Sequence, residues 1–519
     1  MERELASLQE HGVFEVLTPE ETSRVRKNEV LPMLALPGIK PADEAGYRRK
    51  KIRGVVCGNF QPVHPSERLF TNNVDISSVR IGLAIAAERK WAAAVLDVST
   101  AFLNASLPED TPEVIMRPPP VFIKFGLVKE NTLWRAIKAI YGLRVAPRAW
   151  GDERDENFRV VVIDIEAVPH KLRQSMVDPA VWSVVKLEAV LVDAHDSAVG
   201  YLLVYVDDCL ILGPPAVVKA VEETLLQTWA CTTHPHISFQ FPGELHYLGL
   251  TLVARHDCFV LHQKEYLQEL LTKWGLEECR GCQCIDADAE EEAEEPEEPP
   301  LADVRMAQKM GGGLIWVSSR TRPDVAYAVS RISSAAAKRP QWALRLGKRT
   351  LRYLAMARDY GLLYKSDGGG IVGFADASFN VLFSQTGVDL YYKGMNVEWR
   401  SCKQPVVARS TAEAEVSALA MGLVMIEGLE AVLHSMFIDP GVPTLFGDNN
   451  ASICLANRQG SWRTRSLSNK AAGLRSRLDL GSIILSYVGT KEQRADGLTM
   501  FLNAMLMHVS AQMLGLHRV

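Results

Sequence analysis

A mixed α/β chain of about three domains is the fold class this sequence predicts, and three observations carry that reading. At 519 residues the chain is too long to be built around one core. Apolar residues make up 47% of it, the share of a globular protein, and strand-like and helix-like periodicities alternate along it. An acidic tract, residues 285–300 (IDADAEEEAEEPEEPP), and a glycine-rich stretch, 366–370 (SDGGG), divide it. The division expected is a first domain over 1–284, a linker over 285–300, a helical segment over 301–365, a flexible tether over 366–370 and a last domain over 371–519.

Each block has its own pattern. In the first, Lys51–Phe60 and Trp91–Asp97 read as strands, and Ser77–Lys90 has helical spacing behind a serine cap. Leu133–Trp150 begins as a helix and should break at Gly142 and Pro147. The last block reads strand, strand, strand, long helix, strand, helix, helix, strand, helix. Its strands fall at 371–376, 386–392, 396–401, 443–448 and 482–488. Its long helix runs from Ser410 to about Met436 with Val416, Leu419, Leu423 and Ile426 on one face.

The bulk properties exclude several classes. No apolar run approaches the roughly 18–20 residues that span a bilayer, and the N-terminus MERELASLQEHGVFEV lacks the apolar core of a signal peptide. A cytosolic or nuclear chain without a membrane partner is expected. Nine scattered cysteines, an odd number, argue for reduced thiols. Cys279, Cys282 and Cys284 are close enough to raise a zinc site, but no second pair follows at finger spacing. The net charge is −5, yet nine of the acids lie in the tract 285–300 with no base, so the remaining body is mildly basic.

Two adjacent acids, Asp207 and Asp208, interrupt the apolar run YLLVYVDDCLILG over Tyr201–Gly213. Burying neighbouring carboxylates without a counter-charge is costly. A β-hairpin with the acids at its tip, solvated or holding divalent metal, is the least costly arrangement. Asp97, at the end of WAAAVLD, adds a third acid at the end of a buried strand. A two-metal nucleotidyl-transfer site requires such a set, one ion activating a primer 3′-hydroxyl and the other neutralising the triphosphate. Oxygen-only donors suit magnesium. Phe102 is placed to pack beneath an incoming sugar.

The motifs LDVSTAFLNASL, IYGLRVAPRAW, YLLVYVDDCLILG and LHYLGLTL stand in the order and spacing of the reverse transcriptase of copia-type long-terminal-repeat retrotransposons. TRPDVAYAVSRIS and LRYLAMARDYGLLY resemble that family's segment joining polymerase to ribonuclease H, and the likeness extends from ERELASLQEHGVFEV almost to the C-terminus. The resemblance implies a right-hand polymerase of fingers, palm and thumb, a connection segment and a ribonuclease H-like domain. It implies Asp97, Asp207 and Asp208 as polymerase metal ligands, and Phe102 as the steric gate that makes the product DNA. Arg53 would face the triphosphate, Tyr205 the primer end, and Tyr247-Leu248-Gly249 would form the primer grip. Two Mg2+ per site, replaceable by Mn2+, would be the cofactors. An RNA template, a DNA or RNA primer, an RNA–DNA hybrid and deoxynucleoside triphosphates would be the partners. Its location would be cytoplasmic, in virus-like particles, with entry to the nucleus.

A second carboxylate set lies in the last block. Asp376 ends the first strand, Glu415 lies in the first turns of the long helix, Asp448 ends the fourth strand and Asp496 precedes a final helix. Four acids converging at one sheet edge form the two-metal site of ribonuclease H, where water attacks the phosphodiester and 2′-hydroxyls identify the RNA strand. Glu413 is the alternative to Glu415. The motif STAEAEVSAL aligns its second glutamate with the family's catalytic one.

The chain also departs from the family. Val145 stands near the nucleotide pocket where the family usually has Gln, ERLFTNNVD matches poorly, and Ser466 and Ala472 replace common histidines. No zinc knuckle, aspartic protease or integrase motif precedes residue 1. The expectation is therefore the C-terminal product of a larger polyprotein, or a fragment of an element that has lost its other genes; without integrase it would not insert its own product. An RNA-directed DNA polymerase with ribonuclease H is the leading function. A decayed relic that only binds nucleic acid is the alternative.

Overall fold

The structure is a computed structural model that describes residues 1–42, 48–62, 69–188, 197–285, 296–380, 383–457 and 469–519. Most of the acidic tract, part of ERLFTNNVD and Ser466 lie outside the described residues. The described strands form four sheets, one of seven strands and three of five.

The seven-stranded palm sheet explains the continuous apolar runs. Its inner strands, in order, are Ala92–Val98, Asp208–Gly213, Gly200–Tyr205 and Val181–Lys186. Side chains alternate between its faces. Ala93, Val95, Tyr201, Leu203, Leu210 and Leu212 pack with the helix Ile76–Glu88. Ala94, Leu96, Leu202, Val204 and Ile211 meet the core of the helices Ala146–Val160 and Pro215–Thr228. Both faces are covered, so apolar residues are needed at every position. In front stands the fingers hairpin of Val30–Ala42 and Arg48–Val56.

Two local expectations are corrected. The helix expected from Ser77 starts at Ile76, and its cap is Asp75, whose carboxylate accepts from the Ser77 N–H at 2.8 Å. The helical start expected at Leu133 is instead a strand, Trp134–Ala136, and the helix begins at Ala146, where a break was expected. Pro147 sits in its first turn, where no N–H is needed and proline's fixed φ helps initiation. Gly142 has φ +89°, and a Cβ there would lie 2.1 Å from the Val56 carbonyl oxygen.

The third sheet joins distant parts of the chain. Its strands are Gly243–Tyr247, Leu250–Ala254, Phe259–His262, Tyr360–Tyr364 and Leu516–Arg518. The helices Leu301–Arg320, Ala326–Ala335 and Pro340–Met356 pack together beside it. A boundary at 366–370 therefore cuts through one sheet, because the strand at 516–518 returns to the strand at 360–364.

The last sheet has the order Met395–Lys403, Gln385–Tyr392, Ile371–Ser378, Thr444–Gly447, Ile484–Tyr487, antiparallel across the first three and parallel across the last three. The helix Thr411–Ser435, capped by Ser410, lies across it. With a mean hydropathy of 1.8 over 18 residues, this helix is long and apolar enough to cross a membrane by composition, against the expectation that no segment would be. Its apolar side chains cover a sheet, which selects for the same residues.

Residues 366–370 are not a loose tether. The Asp367 N–H donates to the Lys393 carbonyl at 3.1 Å and the Lys393 N–H to the Gly370 carbonyl at 3.2 Å. The last block and the helical segment both dock on the seven-stranded sheet and its helix Ile76–Glu88. The Arg80 guanidinium lies 3.9 Å from the centre of the Trp399 ring and donates to the Ser319 carbonyl at 2.9 Å, and Tyr201 Oη donates to the Met436 carbonyl at 2.9 Å. One apolar core runs through both regions.

Candidate active sites

The first centre is set by strand register. Asp97 and Asp208 are directly paired across neighbouring strands. Asp207 occupies the two-residue turn with Val206, and its carbonyl accepts from the Val98 N–H at 3.0 Å. Oxygens of Asp97, Asp207 and Asp208 lie within 4.8 Å of one another, and all three side chains are half-buried. Burial, then the charges of Asp207 and Asp97, push Asp208 up to about 6. Burial also raises Asp207, against the pull of Arg53 and Lys51.

Two residues expected to face the nucleotide, Arg53 and Phe102, converge on a residue that sequence reasoning passed over, Tyr141. The Arg53 guanidinium lies 4.8 Å from the centre of its ring, and Phe102 meets it edge-on at 5.6 Å. Its carbonyl accepts from the Val56 N–H at 2.8 Å. The signal was available in IYGLR, where an aromatic precedes a glycine that the backbone requires. Leu36, Pro37, Gly38, Lys51, Arg53 and Tyr141 border a cavity of about 360 Å³. Phe102 follows Thr100, which holds the left-handed φ of +53° and lies 3.2 Å from His11 Nε2 of the N-terminal segment.

Tyr205 ends its strand opposite Asp208, half-buried beside the acids. Two other expected contact residues are placed differently. Val145 is 1% exposed in the apolar core at the start of the helix Ala146–Val160, so its side chain faces no nucleotide surface. Tyr247 is 4% exposed and donates to the Leu203 carbonyl at 3.0 Å, which makes it a palm-to-thumb strut. Leu248 and Gly249, with φ of +56° and +68°, form the tight turn that remains at that position.

The second centre is deeper. Oxygens of Asp376, Glu415 and Asp448 lie within 4.8 Å of one another, and the first two residues are each 5% exposed. Burial raises Asp376 to about 6, and the Thr499 hydroxyl donates to its carboxylate. Burial, then the charges of Asp376 and Asp448, raise Glu415 to about 9. Asp496, in the short 3-10 turn Arg494–Leu498, lies outside the tight trio. Burial and the charges of Asp376 and Asp448 still raise it to about 7.

Glu413 is committed elsewhere. Its carboxylate meets Lys470 Nζ at 2.9 Å, Arg409 Nε at 3.1 Å and the Arg409 N–H at 2.9 Å. Burial opposes ionisation, but these donors outweigh it and hold Glu413 at about 2. Ala472 opens the helix Ala472–Asp479 and is exposed. Cys279, Cys282 and Cys284 pack against the apolar core of the helical segment. Among the described residues, the groups with metal-ligand spacing are the two carboxylate trios.

Residues 40–172 match the family model described as reverse transcriptase (RNA-dependent DNA polymerase). The retrovirus-related Pol polyprotein from transposon RE1 of Arabidopsis thaliana is 28% identical over 92% of this chain and 31% of its own length. That from transposon TNT 1-94 of Nicotiana tabacum is 24% identical over 100% of this chain and 37% of its own. The chain thus spans roughly a third of these relatives. A foamy viral protease–reverse transcriptase in complex with double-stranded DNA aligns over 93% of this chain and 68% of that one, with 12% identity and a TM-score of 0.49. Over most of its length the chain is thus similar to the Pol polyproteins of these transposons, and over residues 40–172 to reverse transcriptases.

Proposed function

We propose that the chain is an RNA-directed DNA polymerase joined to a ribonuclease H, acting on an RNA template, its primer, deoxynucleoside triphosphates and the resulting hybrid. The observation that carries this reading is the presence of two separate carboxylate trios, each with mutual oxygen separations within 4.8 Å, in a chain whose residues 40–172 match the reverse transcriptase family model. Both donor sets consist of carboxylate oxygens, and both hold acids pushed above their ordinary range by burial and by one another. That environment fits a hard divalent cation, Mg2+ with Mn2+ as substitute. Bound there, such ions activate the attacking hydroxyl or water and neutralise developing charge.

The chain's own residues do the rest. Asp97, Asp207 and Asp208 would hold the ions at the first centre. Asp376, Glu415, Asp448 and Asp496 would do so at the second. Arg53 and Lys51, whose charges already reach Asp207, supply the cationic wall for a triphosphate. Phe102 and Tyr141 form the aromatic wall against the sugar. Cytoplasmic particles are the setting this reading implies.

The test is DNA-primer extension on an RNA template with magnesium, beside the double variant Asp207→Asn/Asp208→Asn. Extension by the wild type alone supports the polymerase. Absence of extension with hybrid binding retained would favour the relic.

A further inference from the structure

The acidic hairpin turns on a residue poorly suited to the task. Val206, immediately before Asp207, has φ +55°, a left-handed conformation that a β-branched residue strongly disfavours. Two-residue hairpins usually place Gly, Asn or Asp there. A strained turn of this kind persists only where its surroundings over-determine it.

Three side chains from outside the hairpin do so. The Val206 N–H donates to Asn73 Oδ1 at 3.2 Å, and the Val206 carbonyl accepts from Trp150 Nε1 at 2.6 Å and Arg154 Nη1 at 3.4 Å. The donors are themselves fixed. Trp150 is 1% exposed and packs edge-on against Trp229 at 5.3 Å. Arg154, also 1% exposed, donates to Asp155 Oδ1 through Nε at 2.9 Å and Nη2 at 2.6 Å. Gln174 Nε2 donates to the other Asp155 oxygen at 3.0 Å and to the Pro179 carbonyl at 2.8 Å.

We propose that Trp150, Arg154 and Asn73 are positioning residues that hold the strained Val206 peptide and thereby set Asp207 against Asp97 and Asp208 for metal binding. Neither polar group of Val206 is satisfied by the strand ladder, so the turn's orientation is dictated by these side chains. The inference rests on reading the first centre as a metal site, and it gives the tryptophan of IYGLRVAPRAW a reason to be there.

Trp150→Phe keeps an aromatic ring in the core, removes the N–H and gives up part of the indole's volume. The readout is Mn2+ affinity of the full chain, measured by electron paramagnetic resonance and restricted to the ion population lost in Asp207→Asn. It is run beside the magnesium dependence of primer extension. Trp150→Phe should weaken that affinity by about 10-fold, the low end for groups that orient metal ligands, and raise the magnesium needed for half-maximal extension. KM for the nucleotide should stay near wild type, while the thermal midpoint should fall somewhat because the smaller ring leaves space in the core; the glycine background separates that loss from the loss of the N–H.

In a Val206→Gly background, where the left-handed φ carries no strain, the effect of Trp150→Phe should shrink to about 3-fold or less. Wild-type metal affinity in Trp150→Phe, or an undiminished effect in the glycine background, overturns the proposal. If Trp150→Phe does not fold, Asn73→Ala decides. Asn73 is exposed, and its loss must move metal affinity in the same direction; no movement overturns the proposal. A wild type that binds Mn2+ at this centre but does not extend primers would sink the polymerase reading while leaving the clamp to be judged on affinity.

Discussion

The two carboxylate centres share a donor set and differ in depth. At the first, the acids sit half-buried at strand ends, Arg53 and Lys51 temper the charge of Asp207, and Asp208 reaches only about 6. At the second, the trio is drawn from a strand, a helix and a loop beneath the surface, and Glu415 is pushed to about 9. On the proposed function, a centre that must admit a primer end and a triphosphate would need to be open, and Arg53 and Lys51 stand close enough for their charges to reach Asp207. On the same reading, a centre whose nucleophile is water would have no such need, and here the acids are confined more tightly. Depth, more than ligand identity, separates the two.

The comparison is broken most severely at the ligands. Asp207→Asn/Asp208→Asn should abolish extension by roughly 10³-fold or more, since metal stabilisation is worth several kcal/mol. Cleavage of a preformed hybrid should persist. Asp448→Asn should do the reverse. If either variant loses both activities in parallel assays, the centres are not separate.

The next contrast lies within one helix. Glu415→Gln should lose RNA cleavage by about 10²-fold or more. Glu413→Gln, which removes an ion-paired structural carboxylate, should lower the thermal midpoint while largely sparing cleavage. Equal loss of cleavage at both positions would overturn the assignment of Glu415.

At the open centre, Phe102→Val should reduce discrimination against ribonucleotides by about 10- to 100-fold, because a shape contact is removed and no hydrogen bond is lost. Unchanged ratios of kcat/KM would place the gate elsewhere.

The smallest effect concerns the sheet beneath the second centre. Asp389 is fully buried, one oxygen accepts from Tyr391 Oη at 2.5 Å and the other has no hydrogen-bond partner among the described residues, and burial raises it to about 7. The raised value means that its contribution to stability is fully present below about pH 4 and is lost as pH rises through about 7. Asp389→Asn should therefore raise stability at pH 8 by on the order of 1–3 kcal/mol, with little effect at pH 4. Thermal midpoints at the two pH values check it, and a pH-independent shift would rule out the charge argument.

Much of both centres was legible because their acids violate local patterns. Asp207 and Asp208 interrupt an apolar run, and Asp97 and Asp376 stand at the ends of such runs. The palm strands were legible too, since each is apolar on both faces. What failed was local chemistry with two meanings and pairing at long range. Pro147 ends a helix or starts one, and only the neighbouring backbone decides. Val145 and Tyr247 lie on motifs that border the site, yet their side chains turn into the core. Tyr141 gains its place from Arg53 and Phe102, which are remote in sequence. Nothing near Leu516 announces that its partner is Leu362.

That pairing has a consequence for the order of assembly. Tyr360–Tyr364 leaves the ribosome roughly 150 residues before Leu516–Arg518, which closes its free edge. At roughly 5–20 residues per second, the edge waits on the order of ten seconds or more. During synthesis the thumb hairpins and the connection can form only four of their five strands, and the gap is a place where a nascent chain could pair with another copy. Completion of the whole C-terminal block is thus what finishes the sheet that begins with Gly243–Tyr247.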